Sequence, residues 1–268
     1  MEMLQTVFSY SFAARALIVG VLVSLCAALL GVSLVLKRYS MLGDGLSHVA
    51  FGSAAIALAL GVAPLKISIP VVIIAAFLML RTGGKIKGDA ATAIVSSSAL
   101  AIGVIVATMT TGMNTDISNY MFGSILAMSR EDVFITAGAA SVIIIIYIVF
   151  YNKIFASTFD EGFALATGVH VELYNSLLAV LTAVVVVIGM RMMGALLISS
   201  VMIFPALSAM RVCRHYKGVI MMSALISVAA FIVGMLLSFL YDMPAGASVV
   251  VVNLVIFLIF SAIGKKNA

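Results

Sequence analysis

The chain has 268 residues, 64% of them hydrophobic and 9% charged, with a mean hydropathy of +1.29. That balance excludes a soluble globular domain and defines an integral membrane protein. The net charge of +5 and pI near 9.3 do not indicate nucleic acid, because the basic residues stand in ones, twos and threes between apolar runs.

Apolar runs of about 17 to 25 residues recur along the chain without period-2 alternation, so the spans are helices and not barrel strands. The expected fold is an all-α polytopic membrane protein forming one transmembrane domain over 1–268. Spans are predicted at 16–36, 45–61, 67–80, 91–111, 131–152, 173–190, 194–210, 219–241 and 246–263. The 67–80 run reaches only about 21 Å at 1.5 Å per residue, against a hydrocarbon core of about 30 Å. It is tilted, lengthened through Pro64, or not a full crossing, which leaves eight or nine spans.

Before the first span stand Glu2 and Arg15 without a basic leader or a small-residue cleavage site, so that span is expected to be retained. Cys26 lies in it and Cys213 in a basic loop, which predicts two free thiols.

The second span is headed by Asp44 and His48. Four residues apart on a helix, they share a face and could hold one cation between a carboxylate oxygen and an imidazole nitrogen. The competing reading makes Asp44 the cap of a helix starting near Gly45, with His48 an interfacial residue. Cost favours the first, because an unpaired carboxylate in a bilayer costs roughly 2.5 to 3.5 kcal/mol and such groups usually face a pathway.

Small residues crowd 52–59 and 90–99, which suits close helix approach. Ser96, Ser97 and Ser98 are expected to bond back within their own helix. Residues 112–130 are semi-polar, and their composition suits a short interfacial or re-entrant helix.

Residues 157–177 form the longest connection on the basic side. They read as a short amphipathic helix in which Phe159, Phe163, Leu165 and Ala166 mix with Asp160 and Glu161. Without Lys or Arg it suits a docking helix for a partner protein better than a membrane-surface helix. Farther on, two glycines flank Arg191 in "GMRMMG", read as a tight turn at 189–194, and Pro205 is expected to kink the following helix. Asn253 in the last span is a candidate for interhelical hydrogen bonding. His170 and His215 are read as solvated, and the 17 methionines as packing residues.

With the N-terminus outside, eleven Lys and Arg residues fall in the inner connections and tail and four outside, so the C-terminus is expected in the cytoplasm. The second span then starts on the inner side. Asp44 and His48 either sit deep in a broken helix, or the span starts elsewhere than residue 45. No G-x-x-x-x-G-K-[ST] motif occurs, so any ATP-driven transport would draw on another chain.

Four stretches, in order, carry a resemblance: "LKRYSMLGDGLSHVAFGSAAIALALG" from Leu36, "NYMFGSILAMSRED" from Asn119, "FDEGFALATGV" from Phe159 and "MGALLISSVMIFPALSAMR" from Met193. The chain resembles the permease subunits of bacterial zinc and manganese ABC importers over nearly its whole length. The G-D-x-[LI]-S-H element at Gly43 to His48 is the most specific part, followed by G-A-L-L-[IV]-S at Gly194 to Ser199.

The resemblance implies a type II-like importer bundle in the bacterial plasma membrane. It implies pairing with a second permease copy, two cytoplasmic ATPase subunits and an extracellular or periplasmic metal-binding protein. The chain itself would be no enzyme and would hold no permanent cofactor. Its cargo would be a divalent metal, zinc first and manganese next. Asp44 and His48 match the family's metal ligands, and Ser47 receives no coordinating role. The coupling segment, at about 157–172, would use Phe159, Asp160, Glu161, Phe163, Ala164, Ala166 and Gly168. Where the family often has H-A-V-L-P-G after the motif, this chain has "HVAFGS" without the proline, which leaves the shape of the second span open. A self-contained, proton-coupled secondary metal transporter is the alternative, although no related halves with broken helices are seen.

Overall fold

The computed structural model describes residues 11–82, 88–110, 121, 123 and 130–266. Eleven helices form among them: α1 Ser11–Leu36, α2 Ser40–Ala59, α3 Pro64–Thr82, α4 Gly88–Met109, α5 Arg130–Val149, α6 Tyr151–Phe159, α7 Glu161–Ala166, α8 Val171–Met193, α9 Ala195–Val212, α10 Tyr216–Tyr241 and α11 Ala245–Lys266. Each of the nine predicted spans corresponds to one long helix, and α6 and α7 are the short pair between α5 and α8. Seven are long and apolar enough to cross a bilayer, and shorter apolar stretches lie at Pro64–Leu80 and Leu197–Val212. The doubtful third span is thus a 19-residue helix lengthened back to Pro64. Most of the semi-polar 112–130 stretch lies outside the described residues.

Contacts sort the helix ends into two sets. Lys37 meets Glu161, Tyr216 meets Phe159, and Gly264 packs on the backbone of Arg211. These contacts gather the α1–α2, α5–α8 and α9–α10 connections and the end of α11 at one end, which also carries Arg38, Lys153, Arg214 and Lys217. At the other end Arg191 pairs with Asp132, Leu65 shares a small cavity with both, and Gly246 packs on Met193 and Leu197.

The core is centred on α1, α2 and α8. Ala16, Val19, Leu30, Leu46, Phe51, Leu178 and Met190 are all buried, as are Ile198 and Met202 of α9. By contrast α4, α5 and α11 turn apolar side chains outward, among them Ile94, Ile105, Phe134, Ile145, Leu258 and Ile259. Outward apolar faces of this kind are what lipid requires.

Several local expectations change. The α8 helix continues through Arg191 to Met193, so the break before α9 is a single residue, Gly194, at φ 87°. Among ordinary residues only glycine takes that conformation cheaply. The α9 helix runs through Pro205 from Ala195 to Val212. Asn253 is buried, but its Nδ2 donates to the Val249 carbonyl one turn back at 3.0 Å, an intrahelical bond and not a bridge between helices. Ser97 bonds back to the Ala93 carbonyl, as its sequence setting predicts. Cys26 and Cys213 are both free.

The α2 and α4 helices cross at close range. A Cβ added at Gly52 would stand 2.4 Å from the Ala99 carbonyl oxygen, and one at Gly103 would stand 2.8 Å from the Gly52 Cα. Backbone cannot yield as a flexible side chain can, so a methyl group must push the helices apart. Gly52→Ala should therefore destabilise the detergent-solubilised protein by about 1 to 3 kcal/mol in thermal unfolding. Gly138→Ala, where a Cβ meets nothing within 4 Å, should be neutral or slightly stabilising.

Candidate metal centre and coupling segment

The α2 helix starts at Ser40, five residues before the predicted start, and no side chain caps it. Asp44 is therefore not an N-cap. It lies one turn inside a continuous helix, and His48, at the ninth of twenty positions, lies about 12 Å from the helix start at 1.5 Å per residue. The helix is unbroken, and it starts earlier than predicted. The glycines on either side of Asp44 are contact points: Gly43 faces Met202 of α9, and Gly45 faces Thr92 of α4 and Met79 of α3.

From Leu42 to Ala55, every residue of α2 is buried except Asp44 and His48. Their side chains are 38% and 16% exposed, with Asp44 Oδ2 standing 3.7 Å from His48 Nε2. That is too long for a good hydrogen bond. Two donors on one tetrahedral metal, with bonds of about 2.0 to 2.2 Å, stand roughly 3.4 Å apart. A shift of a few tenths of an ångström would let one cation bridge them. His48 Nδ1 is enclosed and has no hydrogen-bond partner. Ser47 turns its hydroxyl to the Asp44 carbonyl at 2.7 Å, so it is engaged with the backbone. Among the described residues no group of three or more His, Cys, Asp and Glu could hold a metal. One chain thus offers two donors, and water or further donors would complete a four-coordinate site.

The candidate coupling segment is two short helices broken at Asp160 and not one amphipathic helix. Asp160 is extended (φ −148°, ψ 99°) and caps α7, its Oδ1 accepting from the Phe163 amide at 2.9 Å. After α7 the chain turns at Gly168, φ 80°. Ala164 is buried, whereas Phe163 is 64% exposed and Phe159 and Leu165 nearly as much. Ala166 is also exposed. Three large apolar side chains therefore stand out from the basic end of the bundle. His170 and His215 are exposed there, as expected of solvated histidines.

Glu161 is tied to two neighbours within the chain although half its side chain stays exposed. Its Oε1 accepts from Lys37 Nζ at 2.8 Å and from Asn175 Nδ2 at 3.2 Å. Beside it, Ser33, Tyr147 and Tyr216 close a triangle of buried hydroxyls, with sides of 2.9, 3.1 and 3.3 Å, which joins α1, α5 and α10. Sequence reading counted Lys37 only as a marker of topology. Its partner lies 124 residues away, and one sequence offers no signal for such a pair. The Asp132–Arg191 pair was likewise missed, although both residues stood in segments already singled out.

The Lys37 ammonium holds the Glu161 carboxyl below its ordinary value, with help from Asn175 and against partial burial. A lowered carboxyl contributes stability above its ordinary pKa, about 4.5, and loses that contribution as pH falls through the lowered value. The stability difference between wild type and Glu161→Gln should thus stay constant from neutral pH down to about pH 4.5 and close below it. Thermal unfolding across that range checks the sign.

A bundle of helices of which seven are long and apolar enough to cross a bilayer is that of a polytopic membrane protein. More narrowly, the chain belongs to the ABC 3 transport family, whose profile matches residues 9–264. It is 30% identical to the manganese transport system membrane protein MntC of Halalkalibacterium halodurans, over 93% of this chain and 86% of the relative. It is 29% identical to the high-affinity zinc uptake system membrane protein ZnuB of Haemophilus influenzae, over 91% of this chain and 94% of that one. Its fold matches that of PsaBC from Streptococcus pneumoniae in complex with Fab, with a TM-score of 0.88 and 31% identity, covering 97% of this chain and 94% of that chain. The resemblance to zinc- and manganese-type ABC importer permeases is therefore borne out, and ATP hydrolysis belongs to a separate subunit.

Proposed function

We propose that this chain forms the membrane path of an ATP-driven importer of divalent zinc or manganese, and that Asp44 and His48 bind the cation in transit. The observation that carries this is the exposure pattern of α2, in which these two side chains alone stay open along an otherwise buried stretch. A carboxylate held in a bilayer faces a pathway more readily than lipid. One imidazole and one carboxylate form a donor set that either metal accepts. Relatives named for manganese and for zinc bracket that choice. An incomplete donor set also suits transport, which needs binding strong enough for entry and weak enough for release.

In this reading the basic end of the bundle faces the cytoplasm and the Asp132–Arg191 end faces outward, following the bias of Lys and Arg. Phe159, Phe163 and Leu165 supply the apolar patch on which an ATPase subunit docks, around the Asp160 cap and the Gly168 turn. A second permease copy covers the open side of Asp44, and an external binding protein delivers the metal. Membership in an ABC transport family favours this reading over a proton-coupled secondary carrier.

In proteoliposomes holding the permease, its ATPase and its binding protein, Asp44→Ala and His48→Ala should each abolish ATP-driven metal uptake while the complex still assembles. Wild-type uptake by both variants would remove the ligand assignment. Phe163→Asp should instead weaken ATPase association and leave metal binding by the permease unchanged. Unaltered association would remove the docking patch.

A further inference from the structure

Lys37 occupies an unusual position for a lysine near a membrane. Only 4% of its side chain is exposed, and its ammonium donates to two acceptors, the Ser157 carbonyl at 2.6 Å and Glu161 Oε1 at 2.8 Å. Ser157 lies in the last turn of α6, where carbonyls lack intrahelical partners. Glu161 lies in the first turn of α7. One cation therefore closes the C-terminus of one short helix and pairs with the first acid of the next; the ammonium suits the dipole of α6, and the Glu161 carboxylate suits that of α7. Through Asn175, Glu161 also reaches the start of α8.

The other side of Lys37 leads to the metal donors. Only Lys37, Arg38 and Tyr39 separate α1 from α2. That corner is stiff: the Arg38 amide donates to the Val35 carbonyl at 3.1 Å and the Tyr39 amide to the Leu34 carbonyl at 2.8 Å, with Arg38 at φ 61°. This is a Schellman-type helix end. One turn earlier on α1, Ser33 is fixed by the hydroxyls of Tyr147 and Tyr216. Displacing α6 and α7 as a unit would carry the corner with it, and the corner feeds directly into the turn of α2 that bears Asp44.

We infer that Lys37 is the strut that transmits movement of the coupling segment to α2, so that ATP hydrolysis by the partner repositions Asp44 and His48. It is a positioning residue and touches no metal. The inference rests on the reading of those two residues as ligands, but it is tested on a different quantity, the metal moved per ATP hydrolysed.

In the reconstituted complex with zinc as the probe, Lys37→Met should assemble, bind zinc as wild type does and hydrolyse ATP. Its uptake per ATP should fall by about 2- to 30-fold, the size of effect that residues coupling distant sites exert. Lys37→Arg, which can still reach a carbonyl and a carboxylate, should restore most of the ratio. An unchanged ratio in Lys37→Met overturns the inference, and so does a lowered ratio that Lys37→Arg leaves unrestored. Should Lys37→Met fail to assemble, Glu161→Gln removes only the charge and carries the same test, an unchanged ratio again overturning it. A failure of the ligand assignment would look different: Asp44→Ala would bind zinc normally while Lys37→Met still uncoupled hydrolysis from uptake.

Discussion

A carboxylate and an imidazole can sit within a bilayer only if protein encloses them, and enclosure requires neighbouring backbones to approach closely. In this chain glycine supplies that approach. Gly43, Gly45 and Gly52 place α2 against Met202, Thr92 with Met79, and the Ala99 carbonyl, while Gly103 returns the contact from α4 to Gly52. The three contacts hold α2 among α9, α3 and α4 and bury every residue from Leu42 to Ala55 except the two donors. Without close approach the helix would present a lone Asp to lipid at a cost of roughly 2.5 to 3.5 kcal/mol. With it, only Asp44 and His48 of that stretch stay partly open.

The same economy governs the basic end of the bundle. Three buried hydroxyls, one buried ammonium and one half-exposed carboxylate tie α1 to α5, α6, α7, α8 and α10. Each donor there finds an acceptor that helix ends or side chains leave available, as buried polar groups require. Rigidity at that end and openness at Asp44 suit a machine in which force enters at one place and is felt at another. Beside this network Phe159, Phe163 and Leu165 stay largely exposed, Phe159 with its ring edge-on to Tyr216.

Much of this was legible in the sequence. Hydropathy located nine spans, each of which has its helix, because a bilayer leaves an apolar run of that length few alternatives to helix. Asp44 and His48 stood out as candidates as well, since charge is rare enough in such runs to be noticed. Errors gathered where a local signal has two meanings. Asp44 could be read as the cap of a helix starting near Gly45 but lies inside α2, so the predicted start of α2 fell five residues late. Gly189 read as part of a turn, yet it packs on Ile198 and Val23 inside α8, and Gly194 alone makes the break. Asn253 read as a bridge but bonds within its own helix. The Lys37–Glu161 pair was beyond reach for another reason, since only folding brings together residues 124 positions apart.

The central claim is that a divalent cation binds between Asp44 and His48, and it is tested most directly by equilibrium binding of radioactive zinc or manganese to the purified permease complex without nucleotide. Wild type should bind the metal saturably, and Asp44→Ala and His48→Ala should each lose that binding while remaining folded and assembled. Saturable binding that persists undiminished in both variants would contradict the account and place the cation elsewhere in the bundle.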